Sequence, residues 1–368
     1  MLSSNSALRR LWNLAAEIDR TLQIRRHDPP KLRQKYVPPQ RYSRHKMFLN
    51  MARRRVGIFS GVPVSVLESE CRDPIGLLTE ALRTKIPSRA RCRVQVGPSH
   101  TVTYLPIREV ARRWLGKRAI VGVTDLHIRG TQLERIIDTR ELSFFNTLIH
   151  GSDELACEET LSMVIASPGN VTDSHSDDHD GTNHCFTGKK LWLTWDALEG
   201  MKAGLEDVER QVVYSQAKFE MSTFLALNSA RWFVISSGHT LFLPGNLTHK
   251  VVTLSPYLGV GNFYVSLPSS LHSLSRWLAN GALWAPVKET RVKSGLVSQV
   301  AQINLRIANR ARSASRKTRD RWGYAYMRVA YDAWKRSVNP AVQDDVMQDE
   351  HFRALVAIAR SSKMPRPQ

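Results

Sequence analysis

The chain concentrates its most reactive side chains in one short stretch, Thr172-Asp-Ser-His175-Ser-Asp177, directly after an apolar run. Successive side chains on a β-strand alternate between the two faces of the sheet, so His175 and Asp177 are expected to point the same way. An imidazole and a carboxylate held side by side suit a borderline divalent metal ion. His249, at the start of a later apolar run, is our third candidate ligand. Two histidines and one carboxylate leave three positions of an Fe(II) octahedron open.

A plainer interpretation of the same residues is a polar loop. His and Asp side chains recur from 175 to 184, and a bare His-x-Asp pattern has little specificity. His179 and His184 are alternative ligands on composition alone. We interpret each of them as a loop residue or as a donor beside the ligands.

The elements that must position these residues are predicted from hydrophobic periodicity. Short apolar runs separated by turn signals predict strands over 161–166, 190–195, 231–238, 240–245, 249–254 and 259–265. Earlier strands are expected over 92–96, 101–105 and 120–123, with helices over 1–26, 75–85, 107–115, 132–138, 208–218 and 220–227. Beyond Pro268 the pattern predicts helices over 270–282, 296–312, 318–337 and 350–361. The density of short strands predicts an antiparallel barrel or sandwich.

The motifs around the candidate ligands resemble those of one enzyme family. Thr172–Asp177 matches the motif T-D-x-H-x-D. The G-T and G-x-K that follow this motif are matched by Gly181-Thr182 and by Gly188-Lys189-Lys190. The segment 238–245 is similar to G-D-T-L-F-I-P-x-G, and 261–263 matches G-N-F. Residues 118–268 thus resemble the JmjC family of Fe(II)- and 2-oxoglutarate-dependent oxygenases, most closely its lysine demethylase branch linked to plant-homeodomain fingers.

This resemblance implies a fold, a site and a reaction. The implied fold has a mainly β core, a double-stranded β-helix of the jelly-roll or cupin type, with flanking α-helices and a C-terminal helical region. His175, Asp177 and His249 would hold the iron, and Lys190 and Thr172 would bind the distal carboxylate of the cosubstrate 2-oxoglutarate. Asn262 would contact the cosubstrate or iron-bound water, or would only satisfy strand ends. With dioxygen, such a site hydroxylates a C–H bond, and an N-methyl group so hydroxylated leaves as formaldehyde.

Several features depart from the demethylase branch. Lys190 follows His175 by 15 residues, about two fewer than in that branch and similar to the asparaginyl hydroxylases. The Cys185-Phe186 region stands where many demethylases have a tyrosine, and Gly-Asp has become Gly238-His239. The substrate is expected to be a protein, histone-type N-methyl-lysine included. The alternatives are hydroxylation of RNA or a small molecule, and a non-catalytic cupin module that binds chromatin or nucleic acid.

The net charge of +20 is carried by the ends of the chain. Residues 1–60 contain 14 Lys/Arg against 3 Asp/Glu, and residues 288–336 contain 13 against 3. Basic flanks of this kind suit a polyanion such as nucleic acid, although a solvated basic face has the same composition. The aromatic C-terminal helices are expected to cover the barrel or to form a dimer interface, through Trp322, Tyr324, Tyr326, Tyr331 and Trp334.

The domain organisation follows from these patterns. We expect a basic helix and linker over 1–60, a mixed lead-in over 61–117, the JmjC-like domain over 118–268 and a basic helical region over 269–368. Four cysteines without zinc spacing indicate reduced thiols in an intracellular protein, nuclear if the source is eukaryotic. No apolar run reaches about 18 residues, so no membrane span is expected.

Overall fold

The structure is a computed structural model that describes residues 34–66, 76, 91–96, 101–116, 121–128, 137–138, 160–177, 180–205, 219–245, 247–264, 266–276 and 287–363. The helices predicted over 1–26 and 208–218 lie outside the described residues. So do all but one residue of the 75–85 helix, most of the 132–138 helix, and His179.

Eleven of the described strands share one sheet, and all its strand pairings but one are antiparallel. They are β1 Gln40–Arg41, β2 Gly57–Ser60, β4 Arg91–Val96, β5 Thr101–Pro106, β6 Val121–His127, β8 Thr160–Ala166, β9 Val171–His175, β10 Asp180–Asp196, β11 Arg231–Ser236, β12 His239–Leu243 and β13 Leu247–Tyr264. The short strands β3 Ser65–Val66 and β7 Ile137–Asp138 form a separate pair. The fold is therefore mixed α/β with a large, mostly antiparallel sheet.

The two long strands β10 and β13 organise this sheet, because each has different neighbours along its two halves. In one half, where Thr182 pairs with Asn262, β10 also pairs with β12 and β13 with β8. In the other half, where Trp192 pairs with Val251, β10 pairs with β11 and β13 with β9. Two four-stranded sets result, β8-β13-β10-β12 and β9-β13-β10-β11.

Side chains from both sets meet in one buried cluster, and we call the face that carries this cluster the enclosed face. The cluster includes Val164, Cys185, Trp192, Phe233, Ile235, Leu241, Val251 and Tyr257. Alternation along β13 puts Val252 on the opposite face, in a second cluster. The enclosed face is therefore the one that can hold a sheltered site.

A bulge in β10 brings Cys185 and Lys190 to the same enclosed face of the sheet. Cys185 and Lys190 are five apart, so regular alternation would place them on opposite faces. Register shifts between Cys185 and Lys190 correct the phase. Gly188 makes the bulge possible: its φ is 91°, and a Cβ there would lie 2.1 Å from the Pro256 carbonyl oxygen.

We expect Gly188→Ala to lower the free energy of unfolding by about 3 kcal/mol or more, since it combines left-handed strain with a backbone collision. Gly204 is the matched control, with a φ of 77° and no atom within 4 Å of an added Cβ. Gly204→Ala should cost only about 1 kcal/mol. Equal losses in urea unfolding of the two variants would show that the bulge does not depend on Gly188.

The basic N-terminal segment is not a free linker where the structure describes it. The Tyr36 ring lies 4.6 Å from Trp232, and the Val37 N–H donates to the Trp232 carbonyl at 3.0 Å. β1 then pairs in parallel with β2, after which α1 (Arg44–Ala52) packs on the sheet. The prediction of an extended linker was wrong here because Tyr36 and Val37 supply an apolar anchor between the charges.

The segment predicted as a separate lead-in also joins the main sheet. Strands β4 and β5 form as expected and connect to β8 through β6. The predicted helix is present as α2 (Ile107–Gly116), and the helix predicted over 220–227 is present as α4 (Met221–Ala226), after α3 (Ala197–Lys202). Ile137 and Asp138 lie in β7, so the helix predicted over 132–138 is wrong at that end.

The C-terminal helices cover the outer face of the sheet. A helical segment over 270–276 is followed by α5 Val287–Ser313, α6 Arg316–Arg321, a 3₁₀ turn Tyr324–Tyr326, α7 Met327–Ser337, α8 Pro340–Val346 and α9 Glu350–Ser361. Trp322, Tyr326 and Trp334 are buried in a cluster that includes Phe242 and Tyr264 of the sheet. Covering the sheet is thus confirmed for these aromatics. Gly323 interrupts the helix predicted over 318–337, because its φ is 69° and a Cβ would lie 2.6 Å from Pro268.

Two further expectations need correction. The strands predicted over 249–254 and 259–265 are one continuous strand, β13, because Pro256 is accommodated at the β10 bulge. The sheet also does not close into a ring, since β1 and β5 lie at the two ends of its strand order. Among the described helices, none combines the length and apolarity needed to cross a membrane.

Candidate metal centre

The two candidate histidines meet through strand pairing. His175, the last residue of β9, is the cross-strand partner of His249 on β13, and their ring centroids are 4.2 Å apart. A register irregularity beside this pair lets Thr172, opposite Val251, share the enclosed face although it lies three residues from His175. Direct pairing of neighbouring strands, and not closure of a barrel, brings His249 to the His-x-Asp motif.

Asp177 completes the cluster from outside the strand. β9 ends at His175, so the expectation that one strand carries both residues was wrong. Asp177 Oδ2 nevertheless lies 3.7 Å from His249 Nε2, and one ligand atom from each of the three residues lies within 4.8 Å of the others. Donor atoms this close can converge on one divalent ion.

His249 is held as a neutral ligand. Its Nδ1 lies 3.0 Å from the Leu247 carbonyl oxygen, to which it can donate, leaving the Nε2 lone pair directed toward Asp177. The side chain is 2% exposed, and burial, with the adjacent His175, holds its pKa well below the ordinary 6.5. Trp192 stacks on the ring with centroids 5.3 Å apart. A neutral, oriented imidazole is the state that metal binding requires.

A buried clamp fixes the loop that leads into β13. The Gly245 N–H donates to Asp180 Oδ1 at 2.9 Å, and the Gly245 carbonyl accepts from Arg54 Nη2 at 2.6 Å. Asp180 also accepts from the Ser269 hydroxyl. Burial raises the pKa of the Asp180 carboxyl, against those hydrogen bonds and the Arg54 charge. Both peptide groups of Gly245, four residues before His249, are therefore tied to charged side chains.

Asp180→Asn should weaken divalent metal binding about 10-fold, because Gly245 positions the strand that carries His249. It should also lower the free energy of unfolding by about 2–4 kcal/mol, since the buried Arg54 loses one of the two carboxylates near its charge and keeps only Asp196. Asp332, paired with Arg328 at 3.1 Å on a partly exposed helix surface, is the control. Asp332→Asn should change stability by less than about 1 kcal/mol and leave Mn(II) affinity unchanged in equilibrium dialysis. Unchanged Mn(II) affinity in Asp180→Asn would show that the clamp serves stability alone.

Lys190 presents an ammonium group to the same interior. The residue is 3% exposed, and burial lowers its pKa from 10.5 to about 8. Its Nζ lies over the Tyr257 ring, 4.6 Å from the centroid. In the part of the chain that the structure describes, no carboxylate forms an ion pair with it. A buried cation in this state favours an anionic ligand.

Asn262 lies apart from the candidate metal ligands and Lys190. Asn262 pairs with Thr182 and Leu161 and alternates in phase with Val260, whose side chain packs in the cluster on the outer face. It therefore lies on the opposite face of β13 from His249. His184 also faces outward, buried, with Nδ1 2.8 Å from the Thr240 hydroxyl.

Sequence reasoning did not place two residues, Tyr257 and Cys185, in the interior wall beside Lys190. Tyr257 is fully buried and donates to Asn183 Oδ1 at 2.5 Å. Cys185 is also buried, which raises its pKa to about 12. The run Ser255-Pro256-Tyr257 has the composition of a turn, and only the pairing of β13 with the bulge reveals it as strand. The signal available was Gly188, which predicts close backbone approach.

No family model matches the chain, and no curated protein matches it significantly. Chemically, the arrangement offers three convergent metal ligands at one place and a buried ammonium group farther along the same wall.

Proposed function

We propose that this protein is an Fe(II)- and 2-oxoglutarate-dependent dioxygenase. The observation that carries the proposal is the combination of the His175, Asp177 and His249 cluster with a buried Lys190 that has no described carboxylate partner. A structural metal site would have no use for the buried cation, whereas a dicarboxylate cosubstrate needs a metal at one end and a cation at the other.

The strand order supports this proposal. Counting each half of β10 and β13 separately gives eight strands in two sets, with the order first-eighth-third-sixth in one and second-seventh-fourth-fifth in the other. That order is the signature of a double-stranded β-helix, or jelly roll. The histidine ligands would then come from the second and seventh strands, and Asp177 from the residues that follow the second.

The residues fit the two groups that the proposal requires. Two imidazoles and one carboxylate, without thiolate, match the donor set of non-haem Fe(II) oxygenases. Lys190 and Thr194 are four residues apart on β10, about 13 Å, and Thr194 pairs with His249. A short dicarboxylate would lie between the metal ligands and the lysine ammonium, with the buried Thr172 on the same face.

Bound Fe(II) and 2-oxoglutarate would supply the activation of dioxygen and the oxidation of a substrate C–H bond. The chain's own residues would orient and shelter that chemistry. Leu247 fixes the donor tautomer of His249, and Trp192 holds its ring plane. Phe233, Ile235 and Val251 make the interior wall apolar, which strengthens the attraction between Lys190 and a carboxylate by excluding water.

The proposed substrate is a protein side chain, either hydroxylated stably or demethylated when the oxidised carbon is an N-methyl group. Mass spectrometry of methylated and unmethylated peptides after incubation with the full chain separates these outcomes. Demethylation replaces each N-methyl group by a hydrogen atom and so lowers the peptide mass, whereas stable hydroxylation adds the mass of one oxygen atom.

The deciding experiment measures metal binding and cosubstrate binding before turnover. Equilibrium dialysis of the full chain with Mn(II) should show one site, and radiolabelled 2-oxoglutarate should bind only when metal is present. With Fe(II) and dioxygen, succinate should form. A chain that binds neither metal nor 2-oxoglutarate would overturn the proposal.

A further inference from the structure

Two basic segments far apart in sequence meet in the folded chain. Residues 29–67 contain nine Lys/Arg and residues 290–319 contain eight, and neither segment contains an Asp or Glu. The first includes α1, and the second includes all but the first three residues of α5 and most of α6. Like charges on two adjoining segments repel one another, and the surface that they share attracts partners of opposite charge.

The two segments are joined through the 3₁₀ turn Tyr324–Tyr326, which lies outside both of them, and through one shared buried cluster. His45 Nδ1 of α1 lies 2.7 Å from the Tyr326 hydroxyl, and Phe48 of α1 packs on the same ring at 5.3 Å. Tyr326 belongs to the 3₁₀ turn that follows α6 and contacts it. Gly323 permits this approach, because a Cβ there would lie 2.7 Å from Phe48. The apolar sides of α1 and α5 are thus buried together with this turn in one cluster.

The opposite sides of these elements carry the charge. Exposed basic side chains lie on α1 and just beyond it and on α5 and α6: Arg44, Lys46, Arg53, Arg55, Arg306, Arg310, Arg312, Arg316 and Lys317. The one acidic side chain within α6, Asp320, pairs with Arg316 at 3.7 Å where both are well exposed, so it neutralises little. We call these nine side chains the basic surface.

We propose that the basic surface binds the phosphate backbone of double-stranded nucleic acid. Arginine predominates on it, and the planar guanidinium group contacts phosphate oxygens through two hydrogen bonds. Single strands are bound by stacking on exposed aromatic rings. The large exposed hydrophobics among the described residues, Val102 and Tyr104, lie on β5 and not on this surface. The chemistry therefore favours a duplex, contacted without base recognition.

The surface does not depend on the metal centre. Its nine side chains are separate from the proposed ligands and from Lys190, so the inference stands or fails independently of the proposed oxygenase activity. It does adjoin that region, because Arg54, between the exposed Arg53 and Arg55, holds Gly245 of the clamp.

The test is the salt dependence of duplex binding by the full chain. Contact with about five phosphates predicts that a fourfold rise in salt weakens binding of a fluorescent 20-base-pair DNA roughly 100- to 1,000-fold. The triple variant Arg312→Gln, Arg316→Gln, Lys317→Gln and the double variant Lys46→Gln, Arg53→Gln should each lessen the slope of log K against log salt, by about 0.9 per lost contact. Arg108→Gln with Lys202→Gln, both exposed on other elements, should leave the slope unchanged.

All these substitutions are on exposed side chains, so a change in DNA binding reports lost contacts and not lost folding. A flat salt response of the wild-type chain overturns the proposal. An unchanged slope in either surface variant shows that the two segments do not act as one surface. Competition by poly-glutamate as effective as competition by duplex DNA assigns the surface to acidic proteins instead, and preferential binding of single strands excludes the duplex.

Discussion

Replacing His249 with alanine is expected to weaken divalent metal binding at least about 100-fold and to abolish succinate formation. Removal of an outer partner of a ligand typically costs 10- to 100-fold in metal affinity, and removal of the ligand itself costs more. His249 is also the most enclosed of the three, with a tautomer fixed by Leu247 and a ring plane fixed by Trp192. The measurement is Mn(II) affinity by equilibrium dialysis, which requires no turnover.

His184→Ala is the matched control for that variant. His184 is also a buried histidine of the sheet, with burial lowering its pKa to about 4, but it faces away from the metal centre. Its replacement should lower stability by about 1–3 kcal/mol through the lost Thr240 hydrogen bond and should leave Mn(II) affinity intact. If His184→Ala instead loses the metal while His249→Ala retains it, the ligand assignment is wrong.

Metal protection against thermal unfolding gives a second test. A ligand at 100 times its dissociation constant stabilises the folded state by about 2.7 kcal/mol. The wild-type chain and His184→Ala should therefore show an increase in melting temperature with Mn(II), whereas His249→Ala should show none. A Mn(II)-dependent increase in His249→Ala would mean that the protective site lies elsewhere.

Much of the site could be predicted because its signals are local. His175, Asp177 and His249 are distinguished by residue type and by their position beside apolar runs, although Asp177 lies beyond the end of the strand that carries His175. The pairing of His175 with His249 could not be predicted this way. It depends on register between strands that are more than 70 residues apart, which a turn or loop length does not determine.

The errors in the fold have a common cause. Pro256 and the turn-like residues around it favoured two short strands, yet the backbone continues because Gly188 of β10 allows the opposite strand to approach. Tertiary contacts override local preference here. Asn262 shares the side of β13 that carries Val260, since even and odd positions of one long strand reach different sides of the sheet, and its contact with a cosubstrate stays a prediction.

Lys190→Met is expected to raise the KM for 2-oxoglutarate about 100-fold while leaving Mn(II) affinity unchanged. Truncating one partner of a buried charge pair costs about 2–5 kcal/mol, and methionine retains the length of the side chain without its charge. Lys190 lies on the other side of Trp192 from the metal ligands, so the metal donor set is preserved. Binding of radiolabelled 2-oxoglutarate in the presence of Mn(II) gives the affinity directly. Unchanged cosubstrate affinity would exclude Lys190 as the anion partner.

The same variant should change the dependence of stability on pH in the absence of cosubstrate. Burial lowers the folded-state pKa of Lys190 to about 8 from 10.5, so the unfolded chain binds more protons between these values, and stability rises with pH there. The burial cost, about 2–4 kcal/mol, is fully present below pH 8 and is relieved as pH approaches 10.5. Lys190→Met carries no such cost and should be the more stable chain at pH 7.

Cys185 and Tyr257 lie near the Lys190 amine, and their own titration changes stability with pH in the opposite direction. Burial raises both of their pKa values, so each lowers stability as pH rises above the ordinary pKa of its side chain. The difference in unfolding free energy between the wild-type chain and Lys190→Met cancels these contributions to first order. That difference should shrink between pH 8 and 10, and saturating 2-oxoglutarate with Mn(II) should reverse its sign at pH 7, because the bound carboxylate then offsets the cost of the buried ammonium. A difference that stays constant with pH would place the Lys190 amine in solvent and remove the physical basis for its role.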